Sequence, residues 1–507
     1  MQLKMILDRK FSIRKYSIYD MGRLKMRDVI SPIANKKISL KNWLDILTDK
    51  TITNKHSTKY DENKKVFVDS SLYEFQSSLS LYIEKEPEAF IDLFVNNSSC
   101  IRSEYVYTLY NSLSYSNVEN KVSIDKFELL FQTFKYKNNY EYAPLICEII
   151  SRKNETGWHD KTIKMLLEIY EDIKNGKIKN NYIVDDSKKD SNKIDDFEFK
   201  AINSPIFKLS MAISNILRNS FDHAEEFIKI AKDMITTDNE IIKYSSLNIL
   251  NCLLNYDFEW SSNIIINLLS DDYMYKYNSI RDIINYIYNK DNNHKEQILK
   301  IISHGITINN DKIKKTFSYL MVDFYLFYDK FKDNLLDKNN NKIVKNSIMN
   351  MLLEYMKEDI YKEKVKGIML KLASYKDVKI NPYKLFDETD MMLLQDRDFI
   401  KKIFHLSNSQ EMIEPFIRTL KKRENDILKF DDLLFEIINA AIKQYDENNL
   451  THYYAYSDLN YIVIMLFDYA YEHKKETTII KCLDVWDQMF SKQIGLMRKL
   501  SKDLSEI

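Results

Sequence analysis

The stretch NSPIFKLSMAISNIL (residues 203–217) opens the part of the chain that decides its fold class. Asn203, Ser204 and Pro205 are typical of a helix start, because a capping side chain precedes a proline in the first turn. Apolar residues then recur at steps of three and four, as on one face of a helix; they are Leu209, Ala212, Ile213, Ile216 and Leu217. The stretch therefore predicts an amphipathic helix.

The same helix–turn–helix pattern recurs three times between Asn203 and His304, with a period of about 33 to 38 residues. Asp222 is predicted to cap the return helix of the first unit, and Asp238 to open the second unit. Such units bury their apolar faces only by stacking on one another. The sequence has no alternation of apolar and polar residues long enough to predict strands. We predict an all-α fold, an α-solenoid of HEAT-like helical hairpins, with either a bulged or a two-part N-terminal helical block.

The composition excludes several classes of protein. The chain has 507 residues, of which 45% are hydrophobic, but only six glycines and six prolines. Sheet proteins with many tight turns, Gly-rich phosphate loops and Pro-rich linkers are therefore not expected. The formal net charge is zero, whereas a dedicated nucleic-acid binder usually carries an excess of positive charge.

The chain divides by composition into four predicted parts. Residues 1–38 are a basic arm or connector, since the first 60 residues hold about fourteen Lys and Arg against five Asp. This part is interpreted as a flexible arm, an interdomain connector or a phosphate-contacting tail. Residues 39–174 form an N-terminal helical block, and 175–196 a polar loop that either separates two domains or bulges from one solenoid. Residues 197–507 form the HEAT-like repeat array, which ends in a C-terminal cap.

The cysteines and the most apolar segment indicate a cytoplasmic protein. The four cysteines are too widely spaced for a zinc site and are predicted to be reduced core thiols; they are Cys100, Cys147, Cys252 and Cys482. No cleavable signal is visible. Residues 459–471 are too short to span a bilayer and contain Asp468, so no membrane association is expected. Frequent Asn, Lys, Ile and Tyr suggest AT-rich bacterial coding.

No motif predicts catalysis or a bound cofactor. The chain lacks a Walker A loop, a G-x-S-x-G elbow, a His-Glu-x-x-His pair and a Cys-x2-Cys pair. Two groups contain metal-ligand residue types: His159-Asp160, and Asp222-His223 with Glu225 and Glu226. The favoured interpretation of both is a helix start, because acidic residues cap and stabilise a first helical turn. We therefore expect no catalytic, cofactor-binding or metal-binding residue.

Two sets of side chains are candidates for contact with nucleic acid. Aromatic residues that could stack on bases are Tyr319, Phe324, Phe327 and Tyr328. Cations that could contact phosphates are Arg281, Arg397, Arg418, Lys421, Lys422 and Arg423. The competing interpretations are core or groove packing for the aromatic set and a solvated surface of mixed charge for the cations. The acidic neighbours are Asp282, Asp396, Asp398 and Glu424.

Five segments carry a resemblance to a known family. They are residues 40–44 (LKNWL), 85–90 (KEPEAF), 201–205 (AINSP), 244–257 and 481–487 (KCLDVWD). In this order they resemble the HEAT-like helical C-terminal region of large bacterial NTPases of the STAND/NACHT type, such as antiviral sensors. The likeness covers most of the chain, but its motifs are structural. The resemblance therefore assigns no functional residue to this chain.

The resemblance implies a sensor role in antiviral defence. In such proteins a nucleotide-binding module and an effector precede the helical region, so this chain would be the C-terminal part of a longer protein or a split subunit. The leading hypothesis is thus a non-catalytic scaffold that binds a protein partner and takes no small-molecule substrate. The alternatives are a HEAT-like nucleic-acid-binding protein or base-excision enzyme, whose affinity for nucleic acid falls steeply with salt, and a helical metal-dependent hydrolase.

Overall fold

A computed structural model describes most of the chain between residues 29 and 492. The described residues are 29–30, 33, 38–53, 58–61, 66–69, 71–115, 119–153, 157–179, 193–375, 377–381, 383–385, 396–406, 415–416, 419, 431–444 and 453–492. The predicted basic arm at 1–38 and the predicted cap at 494–504 lie almost entirely outside them.

The fold is all-α, as predicted. The helices of the first part are α1 Leu40–Thr48, α2 Leu72–Lys85, α3 Pro87–Asn96, α4 Ser103–Tyr115, α5 Ile124–Thr133, α6 Tyr142–Arg152, α7 Asp160–Lys174, α8 Lys193–Ile202, α9 Pro205–Asn219, α10 Ala224–Thr236, α11 Glu240–Leu253 and α12 Phe258–Leu268. They are followed by α13 Ile280–Lys290, α14 Lys295–Gly305, α15 Asp311–Tyr328, α16 Lys332–Leu335, α17 Lys342–Tyr355, α18 Asp359–Ala373, α19 Arg397–Leu406, α20 Asp431–Gln444, α21 Tyr453–Glu472 and α22 Glu476–Ser491. Within the described residues, none of these helices has the length and apolar character needed to cross a membrane.

A small sheet near the N-terminus was not predicted. Its strands are β1 Val29–Ile30, β2 Thr58–Asp61 and β3 Val66–Asp69, in the order β1-β3-β2. β3 runs parallel to β1 and antiparallel to β2. The strands have two to four residues, too few for an alternating pattern to be recognised. β2 and β3 lie within residues 39–174, which were predicted to form a helical block.

The chain forms two compact units, Met1–Leu268 and Leu269–Ile507. In the first unit the helices lie in two rows. One row runs α2, α4, α6, α9, α11, and each of these helices packs on the next. α8 packs on both α9 and α11 as an addition to this row.

The second row of the first unit runs α1, α3, α5, α7, α10, α12. α3 packs on α1 and on α5. α5 contacts α7 through Glu128, which accepts a hydrogen bond from Thr162 at 2.7 Å. α7 contacts α10 through Tyr170, which donates to Asp233 at 2.7 Å. Lys232 of α10 lies 5.4 Å from the ring centroid of Trp260 in α12.

The second unit is also built from helices packed on near neighbours in sequence. α13 and α14 both pack on α15, and α15 packs extensively on α17. α17, α18, α19 and α20 then follow one another in contact, and α22 packs on α20 and α21. Gly305 ends α14 against the Phe317 ring of α15, where a Cβ atom would lie only 2.3 Å from a ring carbon.

Local capping signals located most helix starts correctly. Ser39, Ser71, Ser123 and Ser204 each accept a hydrogen bond from a backbone N–H in the first turn of the helix that they precede. Two predicted caps in the central repeats were wrong. The residue before α10 is His223 rather than Asp222, and the cap of α11 is Asn239 rather than Asp238.

The predicted polar loop at 175–196 is shorter than expected at its C-terminal end, because α8 begins at Lys193. Residues 180–192 lie outside the described part. Asn215 of α9 follows the loop in sequence. Its side chain donates to two carbonyls that precede the loop, those of Ile150 at 2.8 Å and Lys153 at 2.6 Å. The helices on the two sides of the loop therefore pack together in one unit.

The cysteine prediction was correct at three positions. Cys147, Cys252 and Cys482 are buried, free thiols. Burial raises the pKa of Cys482 to about 12, so this thiol stays protonated at neutral pH. Cys100 is exposed, contrary to prediction, because it lies in the turn after α3 rather than on the apolar face of a helix.

Candidate functional site

A groove of about 420 Å³ lies on the first unit, along the row formed by α4, α6 and α9. We call it the tyrosine groove. It is lined by Tyr107, Ser114 and Tyr115 of α4, by Tyr140, Glu141, Pro144, Leu145 and Glu148 at α6, and by Lys177, Ile178, Lys179, Asn203, Pro205 and Lys208. The groove thus spans three successive helices of one row.

The aromatic wall comes from the outer face of α4. The inner face of this helix is buried in the core and consists of Tyr105, Val106, Leu109, Tyr110 and Leu113. On the outer face, Tyr107 is 38% exposed and Tyr115 is 67% exposed. A tyrosine offers a large apolar ring with a polar tip, a combination enriched where proteins contact one another.

The hydroxyl of Tyr107 remains a hydrogen-bond donor at neutral pH. Partial burial raises the pKa of this phenol, and the nearby charges of Glu141 and Tyr115 raise it further. A neutral phenol beside a carboxylate can donate one hydrogen bond and accept another.

Glu148 lies in the floor of the groove between two cations. Arg152, one turn later in α6, donates to it at 2.9 Å, and the Lys208 ammonium of α9 lies 2.5 Å away. The Arg152 guanidinium also lies 5.9 Å from the ring centroid of Tyr115. One carboxylate between two cations leaves a positive charge on this side of the groove.

The C-terminal end of α7 forms a lysine rim. Gly176 has φ 71°, the left-handed conformation that ends a helix, and Lys177 N–H bonds the Asp172 carbonyl at 2.9 Å. Lys177 also pairs with the Asp172 carboxylate at 2.8 Å. Lys177 and, less strongly, the Tyr136 hydroxyl lower the pKa of Asp172 against the opposing effect of burial. Lys179 is exposed beside them.

This arrangement presents exposed rings and charged side chains around one groove. Within the described residues, no group of His, Cys, Asp and Glu is placed to hold a metal ion. Exposed rings, a lysine rim and a satisfied carboxylate floor are features of surfaces that bind another molecule.

The structure shows what His159 and Asp160 do. His159 precedes α7, and Glu128 of α5 accepts from its backbone N–H at 2.8 Å and from the Thr162 hydroxyl at 2.7 Å. The other Glu128 oxygen lies 2.6 Å from His159 Nδ1, and this hydrogen bond raises the pKa of the imidazole. The prediction that Asp160 caps the helix was therefore wrong, since His159 is the N-cap residue and its backbone N–H is bound by Glu128 of α5.

The two groups that contain metal-ligand residue types lie side by side. His223 Nε2 is 3.7 Å from Asp160 Oδ1, and His223 Nδ1 is 3.9 Å from Glu226 Oε1. Both histidines sit at helix starts, where an acidic neighbour is favourable. Asp160 is 81% exposed, so this contact is an open surface pair.

Two of the candidate phosphate-binding cations are already paired. Arg281 donates two hydrogen bonds to Asp323, at 2.6 and 2.7 Å, and Arg397 donates to Asp432 at 3.0 Å. Asp323 also accepts from the Tyr355 hydroxyl at 2.7 Å. The other candidates, at 418 and 421–423, lie outside the described residues.

The aromatic stripe is divided between core and surface. Phe324 is fully buried, whereas Phe327 is 43% exposed. Tyr328 donates to Asn289 at 2.8 Å, and the Tyr319 ring lies 5.9 Å from the Arg281 guanidinium. These residues mainly join neighbouring helices.

The tyrosine groove was not identified from the sequence. Its only signal was the position of Tyr107 and Tyr115 opposite the apolar face of α4. No model of a known protein family matches the chain, and no curated protein matches it.

Proposed function

We propose that this protein is a non-catalytic helical-repeat scaffold, a HEAT-like α-solenoid, which binds a protein partner through the tyrosine groove. The groove carries the proposal, because it exposes aromatic rings and cations across three successive helices of one row. Tyrosine and arginine are enriched among the residues that dominate binding energy at protein interfaces.

The polar contacts between helices support the repeat architecture. In the first unit, Tyr256 bonds Glu225 and Asn248 bonds Ser210, over 31 and 38 residues of sequence. In the second unit, Tyr355 bonds Asp323 over 32 residues. Hydrogen bonds that recur at about one repeat length are expected where equivalent helices stack.

The charges of the groove suit a partner segment with an aromatic or aliphatic anchor beside a carboxylate. The anchor would pack between Tyr107 and Tyr115 above Leu145. The carboxylate would face Lys208 and Lys179, which line the same groove. We further propose, from the family resemblance, that the scaffold is the sensor part of a bacterial defence NTPase.

Nucleic-acid binding remains the alternative function. It is weakened because Arg281 and Arg397 are engaged by carboxylates. A titration with DNA and RNA at increasing salt tests it, because affinity that depends on phosphate contacts falls steeply with salt concentration.

Site-specific photo-crosslinking tests the groove. A photoreactive phenylalanine analogue is placed at position 115 in cells that express the intact protein. Position 73 on α2 provides the matched control, since Tyr73 is 66% exposed and Tyr115 is 67% exposed, and Tyr73 is not part of the groove.

We expect a discrete adduct from position 115 that is absent from position 73. Lys208→Glu in the same background should reduce its yield, because it reverses the charge that faces the carboxylate of the partner. Equal labelling at both positions would reject the groove as the binding site. A partner that carries a nucleotide-binding module would support the sensor role.

A further inference from the structure

A second cavity, of about 320 Å³, lies between α5 and α7 of the first unit. Four lysines line it, and we call it the lysine cleft; they are Lys135, Lys137, Lys161 and Lys164. The remaining lining residues are Glu128, Phe131, Gln132, Tyr136, Thr162, Met165 and Glu168. None of the predicted site residues lines this cleft.

Both carboxylates in the cleft are already satisfied. Glu128 is buried and accepts from the backbone N–H of His159 and from Thr162, with His159 Nδ1 at its other oxygen. Glu168 pairs with Lys137 at 2.6 Å. Neither carboxylate is left to neutralise the other lysines.

Three ammonium groups therefore lack an acidic partner. Among the described residues, none forms a salt bridge to Lys135, Lys161 or Lys164, and all three lysines are exposed. Lys161 and Lys164 are three residues apart in α7, so their side chains lie on one face of the helix and repel each other. An anion with several charges would remove this repulsion.

The positive charge is local rather than continuous. Asp125 at the start of α5 is 84% exposed, Asp160 at the start of α7 is 81% exposed, and Glu171 is exposed further along α7. An extended nucleic-acid strand that entered the cleft would meet these carboxylates. A compact anion would avoid them.

We propose that the lysine cleft binds the phosphate groups of a compact polyphosphate ligand, either inorganic polyphosphate or a nucleoside triphosphate. Lysine suits this role as a mobile point charge, and three lysines would neutralise most of the negative charge of a triphosphate. The proposal does not depend on the tyrosine groove, so the two sites are tested separately.

Calorimetric titration of the full-length protein tests this site. The ligands are inorganic tripolyphosphate, ATP, a single-stranded RNA oligonucleotide and a glutamate-rich peptide. The variant is Lys161→Gln with Lys164→Gln. The control is Lys300→Gln with Lys338→Gln, which changes the net charge equally at exposed lysines of the second unit. Circular dichroism confirms that both variants are folded.

We expect tripolyphosphate to bind and the cleft variant to lose on the order of tenfold in affinity or more, with the control unchanged. Tighter binding of ATP than of tripolyphosphate would identify a nucleotide as the ligand, and equal binding would identify the phosphate chain alone. No binding at millimolar tripolyphosphate, or equal binding to the cleft variant, would overturn the proposal. Preference for RNA or for the acidic peptide would also overturn it.

Discussion

Two groups of buried polar contacts, one in each unit, join neighbouring helices with different chemistry. In the first unit the buried contacts along the α6–α9–α11 row are small and neutral: Asn215 donates to two carbonyls, and the Ser214 hydroxyl lies 3.0 Å from Cys252 Sγ. In the second unit the contacts are ionic. Asp323 is 1% exposed against Arg281, and Asp396 is fully buried against Lys362 and Lys366.

This difference shows that similar helix packing can be stabilised by neutral or by ionic contacts. The loss of one partner destabilises the protein more when the contact is ionic. A neutral hydrogen bond costs little to bury and contributes about 1 kcal/mol net. A buried ion pair offsets a large desolvation cost, so that loss of one partner leaves an uncompensated charge. The second unit should therefore be more sensitive to a single polar substitution.

The largest expected effect is that of Asp323→Ala. This change leaves the Arg281 guanidinium and the Tyr355 hydroxyl without their acceptor, and we expect unfolding to become easier by about 3 to 5 kcal/mol. Urea denaturation followed by circular dichroism measures it. Asp282→Ala, at an exposed residue next to Arg281, is the control and should change stability by less than about 0.5 kcal/mol. Similar losses in both variants would contradict the ionic contact.

An intermediate effect is expected for Asn215→Ala in the first unit. The substitution leaves the carbonyls of Ile150 and Lys153 without their side-chain donor, which should cost about 1 to 3 kcal/mol. Asn219→Ala is the control, because Asn219 is exposed and bonds only within its own helix. The comparison of the two units fails if Asn215→Ala destabilises the protein more than Asp323→Ala does.

The smallest effect is the pH dependence that Asp172 gives to the first unit. Since its pKa is lowered in the folded state, its contribution is present above the unfolded pKa of about 3.9 and is lost as the pH falls through the folded value. Asp172→Asn should be less stable than the parent at pH 6, and the difference should narrow below about pH 4. Urea midpoints between pH 6 and pH 3 measure this. A constant difference would show that the Asp172 charge is not involved.

The sequence predicted what depends on local interactions. Helical periodicity gave the all-α class, and Ser71 or Ser204 could be recognised as caps because their partners lie three residues away. The Asp160 prediction failed because Asp160 is the first residue of α7, and the side chain that binds the backbone at this helix start, Glu128, comes from another helix. The pairing of Arg281 could not be predicted for the same reason, since its partner Asp323 lies 42 residues away.

The two candidate sites were missed for a related reason. Tyr107 and Tyr115 do not differ in type from Tyr105 and Tyr110, which are fully buried in the same helix. Only the packing of α4 against its neighbours separates the two sets. The lysine cleft likewise depends on which lysines find a carboxylate, and this is decided by contacts between α5 and α7.

The position of α7 has a consequence for the relation between the two surfaces. This single helix of 15 residues, about 22 Å long, supplies Lys161 and Lys164 to the cleft at one end and leads into Lys177 of the groove at the other. If both proposals hold, an anion that displaces the start of α7 would also displace the lysine rim of the tyrosine groove at its other end. By thermodynamic reciprocity, any effect of the anion on partner affinity equals the effect of the partner on anion affinity.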